Sequence, residues 1–600
     1  MTGADMVIQV LADEGVDTIF GYSGGAILPT YDAIFRYNAA HQANGTEPIH
    51  LIVPANEQGA GFMAAGYARA SGKVGVFLVT SGPGATNSVT PIRDCMADSV
   101  PVVLICGQVP RPAIGSDAFQ EAPVFNIMSS CSKHVFLVEE PGELEATVRS
   151  AFEIARGGRP GPVVIDLPKD VQNWEGPFRG EGLLRLPGYE KSMAALAASR
   201  ISEEKSGAFY DLLRRCERPL IYAGGGVING NASEQLRTFA TTLQIPVVTT
   251  LMGIGAMDTT HPLCLHMLGM HGTPYANYAV EDCDFLFAVG SRFDDRVAGK
   301  VHDFAPKARF IAHLDIDAAE IGKVVSVDWS HVGDARTGLS DLLDGRNGFR
   351  KDLSKWISHV QQLKKKHALN YDRKSSLIQP HYVIECLNEL TRGEAIVTTG
   401  VGQHQMWAAQ YFDYKHPRSL LTSGSMGTMG FGLPAAIGAQ VACPDRLVID
   451  VDGDGSLRMN LGELETVTTY NLPVKILLLN NLGDGMVRQW QKMYFGNRFS
   501  GTDKSLHSKD FVKAAEADSI DFAVRLTEKD RVKEVLKAFV EYPGPAFLEV
   551  MIDQDACVYP MIGPGTGYKE MMTGEYIASR PAAVHTAEGE LDMTKVPDLF

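Results

Sequence analysis

The chain of 600 residues has no apolar run near the ~20 residues that a membrane-spanning helix needs. Apolar stretches such as 102–106 and 476–479 have the length of buried strands. Basic clusters are also missing. The richest is Lys364-Lys365-Lys366, which reads as a solvated helix face, and a formal charge of −16 makes nucleic acid an unexpected partner. Nine cysteines occur without one Cys-x-x-Cys pair, so neither a zinc ribbon nor a disulfide framework is expected, and a reducing cytoplasm suits them. Helical patterning starts at 4–11 without a basic, apolar leader, so no export signal is expected. No period of 20–50 residues recurs, which argues against a solenoid.

What remains is a glycine-rich chain, 45% hydrophobic, of the kind found in large soluble α/β enzymes. Apolar runs at 18–22, 49–54, 74–79, 101–106 and 162–167 alternate with amphipathic stretches, the pattern of a doubly wound parallel sheet. A second series runs through 219–222, 246–250, 285–289 and 309–315, and a third through 395–399, 447–451, 474–480 and 546–550. The expected division is an α/β domain at 1–171, a Pro- and Gly-containing linker at 172–200 and a central domain at 201–345. A charged helical linker at 346–378, a third α/β domain at 379–554 and a tail at 555–600 follow. Gly563-Pro564-Gly565-Thr566-Gly567 in that tail reads as a loop covering a site.

The strongest chemical signal is Asp452-Gly453-Asp454-Gly455-Ser456, directly after an apolar strand. A second strand ends in Asn480-Asn481, placing Asn481 27 residues after Asp454. In an open α/β sheet, ligands bind beyond the carboxyl ends of the strands, so both polar tips are expected in one crevice. A carboxylate, an amide oxygen and a backbone carbonyl form a hard oxygen set, which suits Mg²⁺ completed by phosphate oxygens. Gly-Asp-Gly alone is more often an acidic turn that only caps a helix; the distant Asn pair shifts the balance.

This Gly-Asp-Gly-Ser…Asn-Asn pattern resembles the thiamine-diphosphate-binding motif of the decarboxylase and carboligase family. The likeness implies three doubly wound parallel-sheet α/β domains of that enzyme family, binding the cofactor's pyrimidine, FAD, and its diphosphate with Mg²⁺. It also implies a glutamate at the pyrimidine, and Glu57 in Pro54-Ala55-Asn56-Glu57-Gln58-Gly59 occupies that position, with Asn56 where His is usual. A carboxylate there favours the ring tautomer whose nitrogen accepts the thiazolium proton. Taken alone, Glu57 equally reads as a surface acid opening a helix.

More specifically, the chain resembles the large catalytic subunits of the acetolactate synthase family. The likeness rests on Gly21-Tyr22-Ser23-Gly24-Gly25-Ala26, with Ser23 where Pro is usual, on 81–87, on 115–121, on Gly158-Arg159-Pro160-Gly161-Pro162, on 400–407 and on 425–433. It implies cofactor contacts at Gly25, Arg159, Val401, Gly402, Gln403, His404, Gly427, Gly453, Gly455, Ser456, Met486 and Val487. It implies metal ligation by Asp454, Asn481 and the Gly483 carbonyl, and a wedge at Met429 that bends the cofactor. Met429 and His404 otherwise read as core filling and a satisfied buried histidine.

The central segment resembles the flavin-binding form, through Arg292-Phe293-Asp294-Asp295-Arg296 above all. FAD contacts are implied at Gly224, Gly225, Gly226, Thr250, Leu251, Met270, His271, Gly290, Arg292, Asp294, Asp315 and Ile316. Gln120, Lys169, Arg296 and Trp490 are implied at the substrate, and Asp484 adds an unexpected charge beside the metal. The implied reaction decarboxylates pyruvate and transfers the two-carbon unit to a second pyruvate or 2-ketobutyrate. It would run in homodimers or homotetramers with shared sites, and a small regulatory subunit stays open. Another thiamine-diphosphate carboligase or decarboxylase is the alternative; glyoxylate carboligase carries an apolar residue in place of Glu57. A flavin- or thiamine-binding regulatory protein would be expected to have lost Glu57, Asp454 or Asn481.

Overall fold

The computed structural model describes residues 1–42 and 47–580; the last part of the expected tail, 581–600, lies outside them. Three six-stranded sheets succeed one another along the chain, each wholly parallel and flanked by helices. The first runs in the order His50–Ile52, Thr18–Tyr22, Gly75–Val79, Val102–Gln108, Val163–Pro168, His134–Leu137. The second runs Trp329–Val332, Phe310–Asp315, Phe285–Val289, Pro219–Ala223, Val247–Thr249, Cys264–Met267. The third runs Leu420–Leu421, Ile396–Thr399, Val448–Gly453, Lys475–Asn480, Ala546–Met551, Phe522–Leu526. Crossover helices cover both faces of a parallel sheet, so inner strands such as Val102–Gln108 are buried throughout, as the continuous apolar runs require.

Five strands escape the sequence patterns: His134–Leu137, Cys264–Met267, Trp329–Val332, Leu420–Leu421 and Phe522–Leu526. All five are sheet edges, where one flank is unpaired and an uninterrupted apolar run is not needed. Residues 172–200, expected as a linker, contain helix Pro187–Ala197, none of whose residues is buried. Helix Ser354–Lys366 in the second expected linker buries Trp356, Val360 and Leu363 in the core of the central unit.

The first and third sheets share a core through helices Glu57–Ser71 and Gly432–Ala442. Small residues allow the two backbones to touch: a Cβ on Gly66 would lie 2.2 Å from the Ala435 carbonyl oxygen, and one on Gly438 would lie 1.9 Å from that of Met63. Among the described residues no helix is long and apolar enough to cross a membrane.

Candidate active site

Strand Val448–Gly453 turns directly into the short helix Asp454–Leu457, and its parallel neighbour Lys475–Asn480 pairs Leu479 with Gly453. That register sets Asp454 and Asn481 side by side beyond the strand ends. The Asn481 amide oxygen lies 3.2 Å from Asp454 Oδ1 and 2.8 Å from the Gly483 carbonyl oxygen. Turning the amide over would place protons between these oxygens, but it would set the Asn481 oxygen against Gln403 Oε1. That atom now accepts from Asn481 Nδ2 at 3.1 Å. Gln403 cannot readily rotate in response, because its Nε2 donates to Gln489 Oε1 at 2.9 Å and to the Ala556 carbonyl at 3.0 Å. The Asn481 oxygen therefore faces two further acceptors at 3.2 and 2.8 Å, close to the separation of adjacent ligands on octahedral Mg²⁺, about 2.9 Å for bonds of ~2.0–2.1 Å.

Burial raises the Asp454 carboxyl to about 7, with the charge of Asp484 adding to the shift. A cation bound there would favour the carboxylate instead. The unexpected charge of Asp484 is itself paired, 3.0 Å from Lys504 Nζ. Backbone bonds from Asp484 to Thr502 (3.0 Å) and from Lys504 to Leu482 (2.8 Å) hold that pair in place.

Beside the oxygen cluster is a cavity of about 50 Å³, lined by Val401, Gly402, Gln403, His404, Met429, Gly453, Gly455, Ser456, Asn481, Gly483, Met486 and Val487. Ser456 Oγ joins two of its loops, accepting from Val401 N at 3.3 Å and Gly430 N at 3.0 Å. Burial holds His404 down at about 3, so its imidazole is neutral at physiological pH. A Cβ on Gly453 would lie 2.6 Å from its Nδ1, which explains glycine there.

A larger cavity of about 1370 Å³ opens next to the first. Its walls include Arg159, Gly224, Gly225, Gly226, Thr250, Leu251, Met270, His271, Gly290, Arg292, Asp294, Asp315 and Ile316, together with Arg296, Val401, Gly402, Gly427, Met429, Met486, Val487 and Trp490. Gly224 and Gly290 let two strand-end loops meet: a Cβ on Gly224 would lie 2.1 Å from the Gly290 carbonyl oxygen. Trp490 is half-buried on the wall, its ring 5.3 Å from that of Tyr494. Arg296 is exposed, with its guanidinium 3.2 Å from Asp295.

Three family profiles match: the N-terminal TPP binding domain of thiamine pyrophosphate enzymes at 1–129, their central domain at 208–342 and their C-terminal TPP binding domain at 400–550. Acetolactate synthase 1, chloroplastic, of Nicotiana tabacum is 44% identical over 587 residues, covering 95% of this chain and 85% of the relative. The acetolactate synthase catalytic subunit, mitochondrial, of Saccharomyces cerevisiae is 43% identical, covering 95% and 84%. The acetolactate synthase large subunit of Parasynechococcus marenigrum is 43% identical, covering 95% and 91%.

The chain belongs to the acetolactate synthase family.

Its activity is the acetolactate synthase reaction of branched-chain amino-acid biosynthesis, a transferase reaction dependent on thiamine diphosphate. In this acetolactate synthase chain five sequence-derived residues line neither cavity: Asp454, buried next to the smaller one, and a group of four, Gly25, Glu57, Gln120 and Lys169. Those four belong to the first α/β unit. Glu57 opens helix Glu57–Ser71, which Asn56 caps by accepting from Gly59 N, so the departure from His is absorbed by a good N-cap residue. Glu57 Oε2 accepts from Asn87 Nδ2 at 2.9 Å. The 81–84 turn touches two of these residues: a Cβ on Gly84 would lie 3.6 Å from Glu57 Oε1, and one on Gly82 would lie 2.7 Å from the Gln120 carbonyl oxygen.

The tail differs from expectation. None of its described residues lines either cavity; it buttresses the walls from behind. Val558 N donates to Gln489 Oε1 and its carbonyl accepts from Gln489 Nε2, while Ile562 N donates to the Met270 carbonyl at 3.0 Å. Sequence reasoning also missed the buried group Arg69, Asp94 and Asp98, although two acids four residues apart on helix Val89–Asp98 form a readable pattern.

Proposed function

We propose that this acetolactate synthase chain binds Mg²⁺ and FAD beside thiamine diphosphate and completes its active site with the first domain of a second copy. The observation that carries the metal assignment is the approach of the Asn481 amide oxygen to Asp454 Oδ1 and to the Gly483 carbonyl oxygen, in the orientation that Gln403 holds. Asp454, Asn481 and Gly483 would hold the ion, which would bridge to the cofactor's diphosphate in the cradle formed by Gln403, Gly427 and Ser456. Support for FAD comes from the size of the larger cavity and from its glycine-lined loops. Two keto acids become acetolactate and CO₂ without net oxidation, so the flavin's role would be structural.

Bound thiamine diphosphate supplies an acidic carbon and an electron sink. The chain's own residues orient and protonate. Glu57 would hold the proton at the pyrimidine ring, Met429 would fill the bend between the two rings, and Arg296 would pair with the acceptor carboxylate. Gln120 and Lys169 would line the substrate path, and Trp490 would contact the acceptor's alkyl group.

The shared site is supported by the absence of Glu57 from the cavity walls and by exposed apolar groups on the first and third units, including Phe119 at 89% and Leu506 at 94% exposure. The nine free thiols support a reducing compartment such as the cytoplasm. The experiment is incubation of purified protein with pyruvate, thiamine diphosphate and Mg²⁺, with and without FAD, followed by acetolactate detection. Full activity after rigorous removal of divalent cations would overturn the metal assignment, and full activity of flavin-free protein would overturn the need for FAD.

A further inference from the structure

Helix Val89–Asp98 carries Asp94 and Asp98 on one buried face. Both meet Arg69, from helix Glu57–Ser71, whose Nη2 lies 3.0 Å from Asp94 Oδ1 and 3.0 Å from Asp98 Oδ2. One guanidinium serves two carboxylates, so the cluster keeps acceptor capacity and negative charge to spend on other donors. Those donors come from the third domain. Asp94 Oδ2 accepts from the Ser423 hydroxyl and, at 2.9 Å, from that of Thr428. Asp98 accepts from Gly424 N and Ser425 N, each at 2.9 Å. The loop clamped in this way, 423–428, presents Gly427 and leads into Met429, both on the larger cavity.

The central domain reaches the same point. Arg292, on the cavity wall, donates through Nη1 to the Ala97 carbonyl at 3.1 Å and through Nη2 to Ser425 Oγ at 2.6 Å. One residue further along, Ser99 Oγ accepts from Arg159 Nε at 2.9 Å and its carbonyl accepts from Asn229 Nδ2 at 3.1 Å. The segment 94–99 is thus where all three domains exchange hydrogen bonds: Ser425 is held by the first domain through its amide, and its hydroxyl accepts from Arg292 of the central domain while donating to the Ala97 carbonyl at 3.4 Å.

We propose that Asp94, Asp98 and Arg69 are positioning residues that couple flavin occupancy of the larger cavity to thiamine-diphosphate affinity, with the Arg292–Ser425 bond as the link. The inference rests on the flavin reading above. A ligand that fixes Arg292 also fixes Ser425, and the loop then has less conformational freedom to lose when the second cofactor binds. Such coupling is reciprocal: each cofactor tightens the other by the same factor.

The test titrates thiamine diphosphate with Mg²⁺ into full-length protein, flavin-loaded and flavin-stripped, following tryptophan fluorescence, and titrates FAD in the reverse experiment by flavin fluorescence. Flavin is expected to tighten thiamine-diphosphate binding by about 5-fold or more, and the reverse factor is expected to match. Ser425→Ala should bring both factors to about 1 while each cofactor still binds alone, and Ser425→Thr, which keeps the hydroxyl, should restore them. A merely structural role would lower both affinities together and leave the ratio intact. Asp98→Asn provides a second variant, expected to reduce the factor in the same way. Flavin that binds the parent but leaves thiamine-diphosphate affinity unchanged overturns the coupling alone, as does an unchanged factor in Ser425→Ala. Failure of FAD to bind the parent overturns the flavin reading, and the coupling falls with it.

Discussion

The amide oxygen of Asn481 stands 3.2 Å from Asp454 Oδ1, held in that orientation by Asn481 Nδ2 donating to Gln403 Oε1 at 3.1 Å. Once the carboxyl is ionised, two acceptors this close repel each other unless something positive joins them. Chelation of divalent cations should therefore weaken thiamine-diphosphate binding strongly. Asp454→Ala should remove the Mg²⁺ dependence of that affinity while leaving flavin binding in the central domain. Calorimetric titration checks this, and an unchanged Mg²⁺-dependent affinity contradicts the assignment.

Glu57 lines neither cavity, yet its resemblance-derived role is proton transfer at the cofactor. Glu57→Gln is expected to keep the fold and cofactor affinity while lowering turnover by roughly 10²–10⁴-fold. Mixing Glu57→Gln with Asp454→Ala under conditions of subunit exchange should restore activity, because mixed dimers would contain sites with both residues intact. Mixed dimers without restored activity would show that sites are not shared.

Trp490 is half-buried on the wall of the larger cavity. 2-Ketobutyrate exceeds pyruvate by one methylene, and such a contact discriminates by ~1–3 kcal/mol, or roughly 10–200-fold. Trp490→Leu should keep acetolactate formation and lose much of any preference for 2-ketobutyrate. Competition between the two keto acids gives the product ratio; the same ratio in variant and parent would make Trp490 structural.

Asp166, inside the first domain, is raised by burial to about 7, with only Gln108 Nε2 at 3.3 Å to offset it. Its native pKa exceeds that of the unfolded chain, so folding takes up a proton. The resulting stabilisation is present at low pH and fades as pH rises through about 7, with a limiting slope near 1.4 kcal/mol per pH unit. Asp166→Asn should flatten this part of the profile. Melting temperatures measured between about pH 4.5 and 7.5, where the folded chain holds the proton and the unfolded chain does not, decide it; parallel curves for parent and variant would mean that Asp166 titrates normally.

The sequence by itself determined the fold class and most of the inner strands, because a parallel sheet covered on both faces demands continuous apolar runs such as 102–106. It also made Asp454, Asn481 and the glycine loops readable, since their chemistry lies in short segments at strand ends. Edge strands such as His134–Leu137 carry no such demand and stayed silent. The tail shows the same limit. Its Gly-Pro composition predicts a loop, but only packing reveals that Val558 and Ile562 brace Gln489 and Met270 from behind instead of covering a cavity. Tertiary structure alone decided that Asn481 presents oxygen and not nitrogen to Asp454, because its orientation depends on Gln403, which lies 78 residues away in sequence. The meeting of Arg69, Asp98 and Ser425 was likewise beyond the sequence: these groups come from separate helices and loops, and only the burial that removes water forces their charges and amides to find one another.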